Sequence, residues 1–281
     1  MADLLGTEAA KALQEKIRAE LNEYEGRTPC LGIVRVGERP DDLAYEKSAV
    51  KRIESLGMEV RKFTFAEDVT DAEFKEEFRH INNDPGIDGI LMFSPLPKNI
   101  DEKKVLSIMN PEKDIDGLSL TNQALVYSGE PGGFAPCTAE AVIRMIDFAG
   151  IDLTGKKVTV VGRGKVIGKP VSMLLIGRNA TVTLCHSKTE NLREECRAAD
   201  ILVVAIGRSR MIDSSYVSEG AVVIDVGINV DEEGNLCGDT DYESVSKVAS
   251  LITPVPRGVG SVTTTVLAQH LLRAAKGNTC G

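Results

Sequence analysis

Several things are scarce or missing in this sequence. No stretch approaches the ~18 consecutive apolar residues that a membrane span needs. Met1 to Ile17 lacks the basic head and apolar centre of a secretory signal, and its Leu4, Leu5, Leu13 and Ile17 alternate with charges as in a helix. The cysteines (Cys30, Cys137, Cys185, Cys196, Cys237 and Cys280) form no CxxC pair and no short-spaced cluster. The three histidines, His80, His186 and His270, are equally scattered, which leaves no ligand set for zinc and no metal site is expected. Together these point to a reducing, cytoplasmic setting. Positive charge is also short: 33 Lys and Arg stand against 42 Asp and Glu, a formal net charge of −9. That argues against non-specific nucleic-acid binding, which depends on cations neutralising phosphates, but it leaves room for a local basic pocket. No membrane and no nucleic acid are expected among the partners.

What remains is an ordinary globular composition. The 281 residues are 42% hydrophobic and 27% charged, enough for one large domain or two of usual size. Cys30–Val36 is an apolar run closed by Gly37, and residues 42–56 follow with helical character and a Gly57 stop. Glu59–Phe65 alternates like a strand, residues 71–81 read as a charged helix with Phe74 and Phe78 one turn apart, and residues 86–93 are a buried-strand candidate ended by Pro95 and Pro97. After a Gly/Pro-rich stretch, Ser128–Pro136, a second α/β pattern begins. Its strand candidates are residues 156–161, 181–185, 201–206 and 221–226. The last two are nearly continuous apolar runs, as in a parallel sheet covered on both faces. The expected fold class is α/β in two domains: an N-terminal α/β domain over residues 1–137, joined by a returning helix at 266–281, and a doubly wound, Rossmann-like parallel-sheet domain over 138–265.

The turn after the strand at 156–161 carries Gly162, Gly164 and Gly168, spaced G-x-G-x-x-x-G. Glycines let backbone approach a pyrophosphate, and the amides and dipole of the following helix favour the anion. A glycine pattern alone is weak evidence, but its place between a clean strand and a helix strengthens it. NAD-specific folds of this type usually end the second strand with a carboxylate for the ribose hydroxyls. Here the strand runs into His186-Ser187-Lys188-Thr189, with no acid before Glu190. Arg163, Lys165, Ser187 and Lys188 suit an added 2′-phosphate. NADP is therefore favoured over NAD, which stays possible, and His186 is read as a packing or capping residue.

Seven segments in order resemble the methylenetetrahydrofolate dehydrogenase/cyclohydrolase family over nearly the whole chain. They are Val36-Gly37 with Tyr45, Asp88-Gly89-Ile90-Leu91 with Pro95-Leu96-Pro97, residues 111–117 (PEKDIDG), Pro136-Cys137-Thr138, residues 161–170, Asp225-Val226-Gly227-Ile228-Asn229, and residues 252–260. The resemblance implies a folate domain and a nicotinamide-cofactor domain with a cleft between them, usually in a homodimer, with tetrahydrofolate as the carrier of the substrate carbon. It assigns Tyr45 to stacking on the folate and Asp116 to holding the pterin ring. It assigns Gly162, Arg163, Gly164, Ile167, Gly168, Ser187 and Ile228 to the cofactor, and Pro256, Gly258 and Val259 to the segment beside the substrate. By residue type alone, Tyr45 reads as core and Asp116 as a turn cap.

The departures carry information. Family members with both activities place a lysine four residues after the tyrosine and a glutamine in the strand before Pro-Leu-Pro; this chain has Ala49 and Phe93 there. Lys47 and Lys51 flank Ala49, but their spacing turns them off the Tyr45 face. Hydride removal asks for alignment and a field that tolerates a cation, whereas hydrolysis of the methenyl bridge asks for a group that moves protons. Alanine and phenylalanine supply none. The expectation is a dehydrogenase with weak or absent cyclohydrolase activity; the alternatives are a working bifunctional enzyme and a non-catalytic dinucleotide sensor. Arg257 stands where the family commonly has glycine and is expected to face solvent, Ser261-Val262 replace Pro-Met, and Gly164 replaces a serine.

Overall fold

A computed structural model describes residues 2–277. In chain order the first elements are β1 (Ala2–Asp3), α1 (Gly6–Asn22), β2 (Cys30–Val36), α2 (Pro40–Ser55), β3 (Glu59–Phe65), α3 (Asp71–Asn83) and β4 (Gly89–Met92). Three helices follow, α4 (Glu102–Ile108), α5 (Leu120–Ser128) and α6 (Cys137–Phe148). Then come β5 (Lys157–Val161), α7 (Gly168–Gly177), β6 (Thr181–Cys185), α8 (Leu192–Arg197), β7 (Ile201–Val204) and β8 (Val222–Asp225). The last are β9 (Asn229–Val230), β10 (Leu236–Cys237), α9 (Tyr242–Val245), β11 (Leu251–Ile252) and α10 (Gly260–Ala275). The described residues divide into two compact units, one of 13–137 with 264–277 and the other of 2–12 with 138–263. Among them, no helix is long and apolar enough to cross a membrane.

The first unit is built on a three-stranded parallel sheet in the order β3-β2-β4. β2 and β4 are buried along their whole length, so their apolar runs carry no alternation, while β3 lies at the edge with most of its residues at least partly exposed. The helix α3 opens on a reciprocal Thr70–Glu73 capping box. It buries Phe74 and Phe78 completely, with their rings stacked at 6.0 Å. α2 begins with Pro40 in its first turn and Asp41 and Asp42 beside the N-terminal amides, a favourable start. A buried ion pair ties α2 to β2: Arg35 Nε lies 2.8 Å from Glu46 Oε2, and Lys62 Nζ on β3 lies 3.0 Å from the other oxygen. A lone buried carboxylate would be costly; two cations satisfy it here.

The second unit is a six-stranded, all-parallel sheet in the order β1-β11-β8-β7-β5-β6. β7 is buried throughout and β8 nearly so, as their continuous apolar runs require. The sheet grows from β5 toward β6 on one side and β7 on the other, so the loop after β5 leaves the sheet at a topological switch point, where doubly wound folds bind nucleotides. A short antiparallel ribbon, β9–β10, follows β8.

Two expectations need correction. Residues 2–12 belong to the second unit, not the first, and the helix expected from Met1 begins only at Gly6. The cause is pairing: β1 adds to the sheet beside β11, Leu4 N donates to Ile252 O at 2.9 Å, and Gly6 N donates to Arg257 O at 2.8 Å. A two-residue strand carries no periodicity to read. The C-terminal helix likewise starts at Gly260, earlier than expected. From residue 264 it belongs to the first unit; the part expected at 278–281, and Cys280, lie outside the described residues.

Candidate active site

In the first unit, Tyr45 projects from α2 and is half-buried. Its ring meets Phe93 edge-on, with centroids 6.1 Å apart and planes at 86°. Phe93, just past β4, is 9% exposed, and Ala49, one helical turn beyond Tyr45, is fully buried. Ala49 and Phe93, the positions where the resemblance leads one to expect lysine and glutamine, are thus both apolar and buried, and Phe93 packs on the tyrosine. Lys47 and Lys51 are exposed. The Tyr45 hydroxyl is held well above the usual phenol range by burial, with further upward pressure from Cys137 and Asp116.

Asp116 stands on a turn that the surrounding residues hold from several sides. Asp114, 1% exposed, accepts from Leu118 N, Ser119 N and the Asn122 side chain at 2.7–2.9 Å. Gly117 has φ +66°, and a Cβ there would sit 2.3 Å from Phe134 O, so only glycine fits. Cys137 N donates to Asp116 Oδ1 at 2.9 Å. Burial pushes the Asp116 carboxyl up to about 6, against the downward pull of the Cys137 amide and thiol, with Asp114 adding a smaller upward push. Among the described residues, no lysine or arginine is among the groups that shift Tyr45 or Asp116.

In the second unit, the turn from β5 into α7 is shaped for close backbone approach. Gly162 has φ +122°, and a Cβ there would lie 2.0 Å from Ala205 O; a Cβ on Gly168 would lie 1.8 Å from Gly162 O. Gly164 is open, with nothing within 4 Å of an added Cβ, so its spacing in the pattern has no steric cause. The helix α7 has no side-chain cap at Ile167; Lys169 N donates to Gly164 O at 3.0 Å, and Pro170 has no N–H to satisfy. Arg163, Lys165, Ser187 and Lys188 are exposed, as is Ile228, while Ile167 is half-buried. His186 caps its own turn, its Nδ1 accepting from Lys188 N at 3.1 Å. In the 254–260 segment Pro256 and Arg257 are exposed, whereas Gly258 and Val259 are buried. Arg257 has φ +80°, which explains why a glycine suits this position and why an arginine strains it.

Both halves of the chain match models of one family. The tetrahydrofolate dehydrogenase/cyclohydrolase catalytic domain matches residues 4–116, and the NAD(P)-binding domain of the same family matches residues 136–279. The chain belongs to the tetrahydrofolate dehydrogenase/cyclohydrolase family. The bifunctional protein FolD of Clostridioides difficile (strain 630) is 51% identical over 269 residues, covering 95% of this chain and 94% of that one. The FolD structure from Campylobacter jejuni has 34% identity and a TM-score of 0.94, covering 98% and 99% of the two chains. The Trypanosoma brucei FolD structure, complexed with NADP cofactor and inhibitor, has 33% identity and a TM-score of 0.91, covering 98% and 97%.

Sequence reasoning missed several residues that shape these sites. Asp239 accepts from Ile206 N, Gly207 N, Arg208 N and Asn229 Nδ2 at 2.6–3.1 Å, fixing the loops after β7 and β8 together. His270 and Cys137 meet behind the Asp116 turn. Partners so far apart in the chain leave no local spacing to read.

Proposed function

We propose that this chain oxidises 5,10-methylenetetrahydrofolate to the 5,10-methenyl form with NADP as hydride acceptor, and opens the methenyl bridge slowly or not at all. The observation that carries the second half is the Phe93 ring set edge-on against Tyr45, with fully buried Ala49 one turn along. Where the family resemblance leads one to expect lysine and glutamine, these two positions present hydrocarbon.

Tyr45 supplies the aromatic face for the folate, and Asp116 holds the pterin through its carboxyl. Above a pH of about 6 that carboxyl is an anion. Placed near the methylene carbon, it favours the delocalised cation that forms as hydride leaves. Neither role needs a proton acceptor at positions 49 or 93. Gly162 and Gly168, which let backbone come close, and exposed Arg163, Lys165, Ser187 and Lys188 fit a dinucleotide with a 2′-phosphate. Bound there, the nicotinamide supplies the two-electron acceptor; the protein supplies alignment. Pro256, Gly258 and Val259 line the approach to the substrate on this reading, and the enzyme works as a homodimer in the cytoplasm.

A second reading, a working bifunctional enzyme, draws support from the 51%-identical relative, which is named bifunctional. Two assays on the purified protein decide. Reduction of NADP and of NAD is followed in parallel with methylenetetrahydrofolate; turnover with neither would leave only a dinucleotide sensor. Decay of added methenyltetrahydrofolate is then compared with buffer. The proposal expects turnover favouring NADP and decay close to buffer, and a much faster decay would defeat it.

A further inference from the structure

Two fully buried carboxylates of the second unit have no part in the chemistry above: Asp225, which ends β8, and Asp239, just past β10. Asp239 Oδ2 accepts from Ile206 N at 2.6 Å and Gly207 N at 3.1 Å, and its Oδ1 accepts from Arg208 N at 2.8 Å and Asn229 Nδ2 at 2.9 Å. Asp225 accepts from Gly227 N, Asp239 N, Thr240 N and Thr240 Oγ1 at 2.6–3.1 Å. We propose that Asp239, held in place by Asp225, is a positioning residue that sets the shape of the dinucleotide site.

The two side chains lock into each other's loops. A Cβ on Gly227, two residues after Asp225, would lie 2.2 Å from Asp239 Cγ, and a Cβ on Gly238, beside Asp239, would lie 2.0 Å from Asp225 Oδ2. Neither glycine has a positive φ, so it is the carboxylates, and not a left-handed turn, that exclude a side chain there. The amides of 206–208 are successive and converge on one carboxylate, an anion nest that the chain fills with its own side chain. Where these loops lead gives the arrangement its meaning. Ala205, the residue before the nest, presents its carbonyl to Gly162, the first glycine of the turn after β5. Asn229 directly follows Ile228. Asp225 N donates to Thr253 Oγ1 at 2.7 Å, at the start of the 254–260 segment. One carboxylate therefore holds the loop that backs the glycine turn and the segment that carries Ile228.

The role assigned to Asp239 rests on the reading of the Gly162 turn and Ile228 as dinucleotide contacts; the hydrogen-bond geometry does not. Asp239→Asn separates charge from shape. The amide fills the same space, but its single oxygen cannot serve donors on both sides, and its NH2 points hydrogens at the donors it faces. Buried N–H groups left unpaired are costly, so the loop turns to other arrangements. If the binding-competent arrangement falls to roughly a tenth of the molecules, the Kd and KM for NADP rise roughly tenfold. The folate KM should stay within about twofold of wild type, a difference well under the tenfold step in affinity. Hydrogen exchange at 206–208, read by mass spectrometry, should quicken in the same variant. Val217→Ala trims a buried core residue of the same unit and serves as the control for lost stability alone. It should lower the melting temperature and leave NADP affinity as it was.

Wild-type NADP affinity in folded Asp239→Asn, unchanged exchange at 206–208, or an equal loss of affinity in Val217→Ala overturns the proposal. If Asp239→Asn does not fold, Asn229→Ala takes its place. It removes one donor from Asp239 Oδ1 and releases the segment that carries Ile228, so the NADP KM should rise roughly threefold or more; no rise overturns the proposal. Should the wild type bind neither NADP nor NAD by calorimetry, the dinucleotide reading itself fails, while the exchange measurement still judges whether Asp239 orders the loop.

Discussion

Rebuilding the missing pair is the sharpest test of the chemistry. The double variant Ala49→Lys, Phe93→Gln restores the two groups that bifunctional members carry, on a backbone whose geometry around Tyr45 is known. General acid–base assistance is typically worth about 10²–10⁴-fold, so methenyl decay should rise by two to four decades, roughly 3–5 kcal/mol of barrier. The same change has a structural cost. Phe93 is 9% exposed and loses its edge-on contact with Tyr45, a pair worth about 0.5–1.5 kcal/mol. Its lost apolar burial adds roughly 1.5–3 kcal/mol. Ala49 is fully buried, so a lysine there must thread its stem past apolar neighbours and find water or an acid for its head.

Summed, the destabilisation is a large part of a usual 5–15 kcal/mol domain stability, so the assay belongs well below the melting temperature. Dehydrogenase turnover in the same sample reports whether the fold survives. Hydride removal should itself slow, because an ammonium near the substrate opposes the developing cation; at an effective dielectric of about 20, two unit charges 6–10 Å apart repel by roughly 2–3 kcal/mol. The expected outcome is a trade: faster methenyl decay, slower NADP reduction. A double variant that still reduces NADP but decays methenyltetrahydrofolate at the buffer rate would refute the account of the missing groups.

Four further outcomes follow from the geometry. Because the Asp116 carboxyl titrates near about 6, dehydrogenase kcat/KM should fall as pH drops below that value, and Asp116→Asn should lower it by at least tenfold at pH 7.5 and flatten the profile. The linked stability has the opposite sign: a raised carboxyl favours the folded state fully below an unfolded value of about 3.9, and that contribution is lost as pH rises through about 6. Urea midpoints of the wild type and Asp116→Asn at pH 5 and pH 7.5 would read it. Ser187→Asp puts a carboxylate at the end of the β6 turn, where a 2′-phosphate is expected and ribose hydroxyls would otherwise sit; the NADP-to-NAD ratio of kcat/KM should drop by roughly 10- to 100-fold. Arg257→Gly relieves a non-glycine residue held at φ +80°, and thermal unfolding should shift upward by the equivalent of up to about 1 kcal/mol, with glycine's extra unfolded-state entropy offsetting part of the gain.

What the sequence reveals about this protein divides by range of interaction. The strands β2, β5, β7 and β8 are legible as short apolar runs closed by turn residues, the helices α2, α3 and α7 from the pattern of adjacent residues, and seven ordered segments identify the family. β1 is not legible: two residues carry no period, and their place in the sheet depends on β11, some 250 positions away. The same rule governs the sites. Gly162 and Gly168 announce themselves because the turn that needs them is local, and Ala49 is informative because Tyr45 lies one turn before it. Phe93 against Tyr45, and His270 behind Asp116, depend on tertiary packing across 48 and 154 positions. Residue types there suggest only an ordinary core aromatic and an isolated histidine. The two positions on which the proposed loss of hydrolysis rests therefore take their meaning only once the fold sets Phe93 beside Tyr45.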